Sequence, residues 1–437
     1  MTIEANDPRR ETWIEVPLDS DFPIQNIPFG IIRTKTDKRP RVASRIGDKV
    51  IDLKRLFKED FLSIKIPSGV YFSIDDFDTD SLNNMMRHGK EGTRALRDII
   101  SELFRKDGAI KNEELPHFKN LKDRLSSCLI DINEVEVLMP ISIGDYTDFY
   151  SSEQHAFNVG CLFRDPENAL LPNWKHIPVG YHGRSSSILP SGFNFKRPKG
   201  QKKPPTSSVP IFGETNLLDF ELETAFFTYE GKPLGSSIST SEADEYIFGM
   251  ALLNDWSARD IQGWEYVPLG PFLGKNFATH ISCWIVTLDA LEPFRTSGPE
   301  QSPEVQRYLE YTGDKHLDIN LEVVIKPENG EENIVTRSNF KYMYWNMNQQ
   351  LAHHTINGCN MRIGDCYGSG TISGPKEGEF GSMLEISWKG TKPFKMKDGS
   401  ERKFINDYDT VIIRGFSEKD GVRIGFGEVK AKVLPSN

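Results

Sequence analysis

The sequence predicts a two-domain protein of the mainly β or α+β class. The chain has 437 residues, more than a single hydrophobic core usually holds. Short runs of β-branched residues alternate with turn residues near the start, and hairpin signals recur through the second half. Hydrophobic residues make up 38% of the chain and charged residues 27%, which are ordinary values for a folded globular protein.

The first domain is predicted to span residues 1–137. Residues 27–53 alternate apolar runs with turn signals, which predicts a small antiparallel sheet or barrel. The stretch EGTRALRDIISELFRK, residues 91–106, places its leucines and isoleucines at helical spacing on one side. We therefore expect one clear helix to follow the sheet.

The second domain is predicted to span residues 138–437 and to consist mainly of strands. Turn signals typical of hairpins occur at residues 229–232, at Asn329–Gly330 and at Asp398–Gly399. The clearest helix is FKYMYWNMNQQLAHHTIN, residues 340–357, which the Asn-Gly dipeptide at its end stops. Such a domain is expected to close on itself as a roll or barrel.

Charge and cysteine content exclude several classes of function. The formal net charge of −10 argues against a nucleic-acid surface, so we expect a small-molecule substrate and no nucleic-acid partner. The five cysteines form no CxxC pair, which favours reduced thiols in a cytoplasmic protein. No stretch approaches 18 apolar residues and the start has no signal-like segment, so no membrane association is expected.

Acidic residues mark the candidate site, because GxSxG, HExxH and complete Walker A motifs are missing from the sequence. The stretch LDFELETAFF would place Asp219, Glu221 and Glu223 on one face of a strand. Asp148 and Asp255 also lie in aromatic, polar surroundings, and Asp255 follows an apolar run. If these acids converge, they form an all-oxygen site for Mg²⁺, Ca²⁺ or Mn²⁺. Pairing of each acid with a nearby Arg or Lys, or a solvated edge strand, remains an alternative.

His155 is the candidate general base. Ser151 and Gln154 fit a capping box, which would place His155 in the first turn of a short helix and keep its ring neutral. A structural histidine at a helix start is the alternative.

A turn-rich segment supplies candidate partners for an anionic substrate. Arg259, Gln262, Tyr266 and Lys275 lie within it, and they can bind an anion or form salt bridges with the nearby acids. The run GSGTISG, residues 368–374, offers backbone N–H groups and Thr371 for a carboxylate, or is simply a tight connection.

Long motifs resemble the fumarylacetoacetase (fumarylacetoacetate hydrolase) family. They are GDYTDFYSSEQHAFNVG, ENALLPNWKHIPVGYHGRSSS, LLDFELETAFF, FGMALLNDWSARDIQGWEYVPLGPFLGK, SGTISG and FGSMLEISWKGTKP. The resemblance is collinear from about residue 140 to the end. It implies a small N-terminal SH3-like β-barrel, a C-terminal mixed β-roll of the fumarylacetoacetase type, and assembly as a homodimer.

The resemblance also implies roles for individual residues. The implied metal ligands are Asp148, Glu221, Glu223 and Asp255, with Lys275 and Thr279 around the site. His155 is the implied catalytic base and Glu385 the acid that orients it, while Arg259, Gln262 and Lys275 steady the leaving carbanion. The residues implied to line the substrate pocket are Tyr150, Arg164, Tyr181, Gln262, Tyr266 and Thr371. No role follows for Asp219.

The implied reaction is metal-dependent hydrolysis of a carbon–carbon bond in the β-diketone 4-fumarylacetoacetate, giving fumarate and acetoacetate. This is the last step of tyrosine and phenylalanine breakdown, and it needs Mg²⁺ or Ca²⁺ but no organic cofactor. Two alternatives remain at this point. One is another metal-dependent acylpyruvate hydrolase, oxo-acid decarboxylase or hydratase of the same superfamily, and the other is a non-catalytic cation-binding scaffold.

Overall fold

The computed structural model describes residues 3–62, 69, 71–108 and 120–437. It is 23% helical and 29% strand. Strands therefore outweigh helices, which reverses the usual balance in globular proteins and confirms the predicted mainly β or α+β class.

The N-terminal part contains one sheet and four helices within the described residues. Its elements are β1 (Phe29–Thr34), β2 (Arg41–Ile46), β3 (Lys49–Asp52), α1 (Leu53–Lys58), α2 (Asn83–Met86), α3 (Gly89–Phe104), α4 (Leu121–Ser127), β4 (Leu129–Asp131) and β5 (Val135–Leu138).

The N-terminal sheet is antiparallel throughout, with strand order β4-β3-β2-β1-β5. Ile31 of β1 and Val42 of β2 lie in the same buried cluster, and α3 adds Leu96 and Ile100 to it. The small antiparallel sheet predicted for this region is confirmed. The helix predicted at residues 91–106 is also confirmed, although it begins and ends two residues earlier.

The remaining elements alternate short strands with few helices. They are β6 (Tyr146–Phe149), α5 (Glu153–Phe163), β7 (Gly180–His182), β8 (Ile188–Pro190), β9 (Phe195–Lys196), β10 (Lys199–Lys202), β11 (Ile211–Glu214), β12 (Leu218–Asp219), β13 (Leu222–Thr228), β14 (Ile247–Asp255), β15 (Ser257–Ala258), α6 (Arg259–Glu265), β16 (Thr279–Ile281), β17 (Val286–Thr287), α7 (Leu288–Leu291), β18 (Arg295–Thr296), β19 (His316–Leu317), β20 (Asn320–Lys326), β21 (Asn333–Asn339), α8 (Met347–Thr355), β22 (Cys366–Gly368), α9 (Met383–Ile386), β23 (Phe394–Lys395), β24 (Glu401–Arg402), β25 (Thr410–Lys419) and β26 (Val422–Leu434).

Two sheets form the centre of this larger part. The first is a mixed sheet of eight strands in the order β7-β6-β22-β13-β14-β16-β8, with β17 paired to β14. It is mixed because β22 pairs with β6, and β16 with β8, in parallel. The second sheet has the order β21-β20-β25-β26-β9. Every residue of β13 and β14 is buried, so these two neighbouring strands form the interior of the sheet, where the candidate site lies.

Two of the three predicted hairpins are confirmed. Asn329–Gly330 lies in the turn between β20 and β21, and Asp398–Gly399 lies between β23 and β24. The turn predicted at 229–232 is wrong, because β13 and β14 pair but residues 229–246 separate them. This segment leaves the sheet because Gly231 N–H and Gly235 N–H donate instead to the carbonyls of Met361 and Gly358.

The helix predicted at residues 340–357 is shorter than expected. Residues Phe340–Tyr342 form a 3₁₀ turn, and α8 begins only at Met347. Asn346 caps it, because its side chain accepts the Gln349 N–H at 3.0 Å and the Gln349 side chain returns to the Asn346 N–H. This capping box sets the start of α8.

The two parts of the chain share one of the hydrophobic cores. Phe29 of β1 packs in the same buried cluster as Phe227 of β13 and Phe248 of β14. The backbone of Phe29 also pairs with that of Ile285, which ties the first sheet to the second part. The domain division at residue 137 stays a prediction.

The cysteines and helices bear on cellular environment. All five cysteines are unpaired, as the sequence predicts. Across the described ranges, no helix combines the length and the apolar character needed to cross a lipid bilayer.

Candidate active site

Three buried carboxylates meet at the centre of the eight-stranded sheet, and we call them the acidic triad. Asp148 lies in β6, Glu223 in β13 and Asp255 at the end of β14. One oxygen of each lies within 4.8 Å of the others. Their exposed fractions are 3%, 0% and 1%, respectively. The structure therefore brings together three of the four acids predicted as metal ligands.

Strand β22 determines how closely the carboxylates of Asp148 and Glu223 can approach each other. It lies between β6 and β13, and Gly368 is the partner of both Asp148 and Ala225. A Cβ at Gly368 would lie 2.8 Å from Asp148 Oδ1 and 3.2 Å from Glu223 Oε2. A side chain at this position would therefore push the two carboxylates apart, and glycine lets them converge.

Two members of the triad, Asp148 and Glu223, have no bonded counter-charge among the described residues. Burial, followed by repulsion from neighbouring carboxylates, raises the pKa of Asp148 and of Glu223 well above their ordinary values. Among the described residues, Asp148 Oδ1 and Glu223 Oε1 have no hydrogen-bond partner. Buried charges normally require a partner. These orphaned oxygens fit a hard cation, so the triad could hold a metal ion.

Glu221 lies outside the triad although it was predicted as a ligand. Its Oε1 accepts from Ser257 Oγ at 2.9 Å and forms an ion pair with Arg259 Nη1 at 2.7 Å, and its Oε2 accepts from Lys275 Nζ. Burial alone would raise the pKa of Glu221, but the charges of Lys275 and Arg259 outweigh it and lower the pKa. Glu221 is therefore a compensated charge beside two carboxylates, Asp148 and Glu223, that each keep an unpartnered oxygen within the described part of the chain.

Lys275 and Thr279 lie next to the triad, as the resemblance implies. Lys275 Nζ donates to both Glu221 and Asp255, and Thr279 Oγ1 donates to Asp255 Oδ1 at 2.7 Å. Burial would lower the pKa of Lys275, but Asp255 and Glu221 raise it, which keeps the group an ammonium. An ammonium has no lone pair, so Lys275 acts as a counter-charge and not as a ligand.

Glu265 holds the loop that leads to Lys275. Its carboxylate accepts the N–H groups of Phe272 at 2.8 Å, Leu273 at 3.0 Å and Gly274 at 2.7 Å. Glu265 could not be identified from the sequence, because only the folded loop brings these three N–H groups together.

His155 and Glu385 form a buried pair. His155 is the third residue of α5, and its Nδ1 donates to Glu385 Oε2 at 2.7 Å. This bond leaves Nε2 as the basic nitrogen of the ring. His155 lies in the first turn of a helix, as predicted. The cap is Ser152, whose Oγ accepts the His155 N–H at 3.2 Å, and the prediction of Ser151 is wrong by one residue.

Three further side chains hold the carboxylate of Glu385. Asn158 Nδ2 and Ser373 Oγ donate to Oε1, and Ser382 Oγ donates to Oε2, each at 2.9 Å. Burial alone would raise the pKa of Glu385, but its bonds to His155 and these neighbours lower it. The Ser-x-x-Glu pattern of residues 382–385 is a capping signal in the sequence and could have identified Ser382.

Arg259 begins α6 and joins two carboxylates. Its Nε donates to Asp219 Oδ2 at 2.9 Å, and its Nη1 forms an ion pair with Glu221 Oε1 at 2.7 Å. Its Nη2 is buried and has no partner within the described part of the chain. Arg259 therefore retains donor capacity for an anionic group.

Only some of the residues predicted to line the substrate pocket contact His155 or the triad. Tyr150 packs edge-on against His155 at 5.4 Å between ring centroids, and the Tyr181 hydroxyl donates to Asp255 Oδ2 at 3.4 Å. Thr371 is buried just after β22. Arg164 bonds instead to the carbonyls of Asn168 and Ala169.

Gln262 and Tyr266 lie further along α6 and at its end, where Gln262 is half-buried and Tyr266 exposed. No bond joins either side chain to the triad among the described residues.

Comparisons with known proteins cover nearly the whole chain. The model described as fumarylacetoacetate (FAA) hydrolase C-terminal matches residues 146–434, and the fumarylacetoacetase N-terminal model matches residues 25–140. The chain is 49% identical over 430 residues to the fumarylacetoacetase of Homo sapiens, covering 97% of this chain and 99% of the relative. It is 48% identical over 433 residues to that of Caenorhabditis elegans, covering 98% and 100%.

A more distant structure shares the fold. The fumarylacetoacetate hydrolase from psychrophilic Exiguobacterium antarcticum superimposes with a TM-score of 0.50 at 16% identity, covering 93% of this chain and 99% of that chain. At this identity the likeness concerns the fold alone.

Proposed function

This chain belongs to the fumarylacetoacetate hydrolase family, and we propose that its buried acidic site is where it hydrolyses fumarylacetoacetate to fumarate and acetoacetate. The protein hydrolyses a carbon–carbon bond in a β-diketone. This reaction is the last step of tyrosine and phenylalanine catabolism. One observation carries the assignment of the site. A chain of contacts joins the acidic triad to the His155–Glu385 pair: Lys275 bonds to Asp255 and Glu221, Arg259 joins Glu221 to Asp219, and Asp219 bonds to the turn that carries Glu385.

The triad would hold a divalent cation, Mg²⁺ or Ca²⁺, through Asp148, Glu223 and Asp255. Glu221 completes the ligand set that we propose. A carboxylate oxygen has two lone pairs, so Glu221 can keep its bonds to Lys275 and Arg259 while it binds the same ion. When bound, the cation polarises the diketone oxygens and neutralises developing negative charge.

His155 supplies the base. Its Nε2 takes a proton from water, and the hydroxide adds to the carbonyl carbon on the fumaroyl side. The Nδ1–H bond to Glu385 holds the ring in this tautomer and stabilises the imidazolium that forms. The tetrahedral adduct then collapses, and the carbon–carbon bonding pair leaves with the acetoacetate carbon. That carbon takes up a proton, so the products are fumarate and acetoacetate.

Arg259, Gln262 and Lys275 bear the charge of the departing carbanion in this proposal. The unpartnered Nη2 of Arg259 and the ammonium of Lys275 are fixed before the reaction begins, because Asp219, Glu221 and Asp255 already bind their other donors. Preorganised donors of this kind stabilise charge without further rearrangement. We place Tyr150, Arg164, Tyr181, Tyr266 and Thr371 around the substrate.

The chain is proposed to act as a cytoplasmic homodimer. Unpaired thiols support a reducing compartment. Support for the homodimer comes from large apolar side chains near α6 and β11, among them Phe212, Val267 and Leu269, which are mostly exposed. Light scattering is expected to give twice the chain mass of 49.7 kDa, and Phe212→Asp with Leu269→Asp is expected to give a monomer. A single-chain mass for the unaltered protein would contradict the dimer.

The deciding experiment follows the ultraviolet absorbance of fumarylacetoacetate with purified protein, before and after EDTA, and then with Mg²⁺ or Ca²⁺ restored. Decay that stops with chelator, returns with metal and yields fumarate and acetoacetate is the expected result. Absence of decay from folded, metal-loaded protein would overturn the proposal. A panel of acylpyruvates and oxo acids then distinguishes another activity of the superfamily from a non-catalytic scaffold.

A further inference from the structure

Asp219 is a fully buried carboxylate that bonds to Arg259 but belongs neither to the proposed metal ligands nor to the proposed catalytic groups. It lies in β12, where it pairs with Ser257 of β15. Its oxygens accept three hydrogen bonds, one from Arg259 Nε and two from the N–H groups of Met383 and Leu384. Asp219 therefore touches two parts of the site that are otherwise far apart in sequence.

The first contact fixes the turn that carries Glu385. Asp219 accepts the Met383 N–H at 2.7 Å and the Leu384 N–H at 2.9 Å. These are the first two residues of α9, and Glu385 is the third. N–H groups in a first helical turn lack acceptors within the helix, so an external carboxylate anchors the turn. The position of Glu385, and through it of His155, thus depends on Asp219.

The second contact fixes the plane of Arg259. Asp219 Oδ2 binds Nε at 2.9 Å, while Glu221 Oε1 binds Nη1 at 2.7 Å. A guanidinium is planar, so two fixed nitrogens determine where the third one points. That third nitrogen is the unpartnered Nη2.

We infer that Asp219 is a positioning residue that fixes the His155–Glu385 pair and Arg259 relative to one another. The inference rests on the proposed function, because that proposal gives Glu385 and Arg259 their roles. Among the described residues the carboxylate of Asp219 bonds to Arg259 and to the N–H groups of α9, so it is assigned a positioning role and not that of a ligand. Asp219 thereby links His155, the base that begins the reaction, to the guanidinium of Arg259, which stabilises the leaving carbanion.

The test variant is Asp219→Asn, which keeps the shape of the side chain. Its NH₂ group cannot accept a hydrogen bond, so at least one of the three bonds is lost. We expect kcat to fall about 10- to 100-fold, while KM and the calorimetric Ca²⁺ affinity change less than about threefold. The double variant Asp219→Asn/Arg259→Lys is expected to lose less than the product of the two single losses, because both changes disturb one contact.

Asp260→Asn is the matched control. Asp260 neighbours Arg259 in α6, but its carboxylate binds Thr215 and the Asn216 N–H, so kcat is expected to stay within about twofold. An unchanged kcat in Asp219→Asn, or strictly multiplicative losses in the double variant, would overturn the inference. If Asp219→Asn does not fold, Asp219→Glu replaces it. That variant keeps the charge but is one methylene longer, and a kcat equal to that of the unaltered protein would overturn the inference.

A substrate-independent readout separates this inference from the proposed function. Failure of the unaltered protein to cleave fumarylacetoacetate overturns the proposed function only. With selective ¹⁵N labelling of arginine, NMR reports the Arg259 Nε–H without substrate. Its protection from exchange is expected to disappear in Asp219→Ala, which removes both acceptor oxygens, and retained protection would overturn the role of Asp219 whichever substrate is correct.

Discussion

The site contains two groups of buried carboxylates that are satisfied in opposite ways. In the acidic triad, Asp148 and Glu223 each keep an oxygen with no hydrogen-bond partner among the described residues. In the second group, Asp219 and Glu385 use both oxygens in hydrogen bonds. The difference separates two uses of a buried acid. Carboxylates that repel one another and keep free oxygens favour the binding of a cation. A carboxylate whose oxygens are all hydrogen-bonded instead holds its partners in place.

The largest effect is expected for His155, which bonds to Glu385 of the second group. His155→Ala removes the proposed base, so kcat should fall about a thousandfold, within the usual range for loss of general-base catalysis. The triad is untouched, so calorimetric Ca²⁺ affinity should stay within about threefold.

The matched control for this prediction is His353→Ala. His353 is a half-buried histidine of α8 whose ring bonds to Tyr308, and its loss should leave kcat within about twofold. A loss of less than tenfold in His155→Ala would remove the base from the mechanism.

The triad should respond differently to loss of a charge. Glu223→Gln keeps an oxygen for the Gly370 N–H and replaces the orphaned oxygen by a donor that can bond to Asp148. Ca²⁺ affinity should fall about a hundredfold or more, and activity with it. The melting temperature of the metal-free protein should rise by a few degrees, because repulsion among the acids decreases.

Glu322→Gln serves as the control, since Glu322 lies on β20 and bonds to Arg337. A lower melting temperature for metal-free Glu223→Gln would contradict the idea that the triad is strained without a cation.

Glu385→Gln should show the opposite sign of stability. Its amide cannot accept on both sides, so bonds to His155 or to Asn158 and Ser373 are lost. We expect kcat to fall about a hundredfold, the melting temperature to fall by a few degrees, and Ca²⁺ affinity to change less than about threefold. Unchanged turnover would show that the pair does not participate.

The sequence predicted the triad better than the bonded group. Asp255 follows an apolar run, and a charge at the end of a buried strand needs a partner whatever the details of packing. Glu221 and Glu223 were predicted to act together because alternate residues of a strand share a face. The strand is interrupted between β12 and β13, and the backbone of Glu221 bridges to Ser382 instead. Local periodicity cannot indicate such a long-range contact.

The role of Asp219 could not be predicted from its neighbours. Its amide partners lie 164 and 165 residues away, so only the closed fold brings them together. The error at the cap of α5 has a different origin. Ser151 and Ser152 are adjacent and chemically identical, so the cap is chosen by contacts with the Ser373 carbonyl and N–H, which Ser152 makes.

The smallest effect tests the comparison through pH. The pKa values of Asp148 and Glu223 are raised in the folded protein, so their stabilising contribution is complete below about pH 4 and is lost as the pH rises through the folded pKa. The pKa values of Glu221 and Glu385 are lowered, so theirs is present above about pH 4 and is lost as the pH falls. Bound Ca²⁺ removes the first effect, because it supplies the missing counter-charge to Asp148 and Glu223. The free energy of unfolding in Ca²⁺ should therefore exceed that in EDTA by a margin that increases from pH 5 to pH 8, by at most about 1.4 kcal/mol per pH unit for each triad group, and the melting temperature should follow the same trend. Glu223→Gln should flatten this trend and Glu385→Gln should not, because only the triad titrates against the cation.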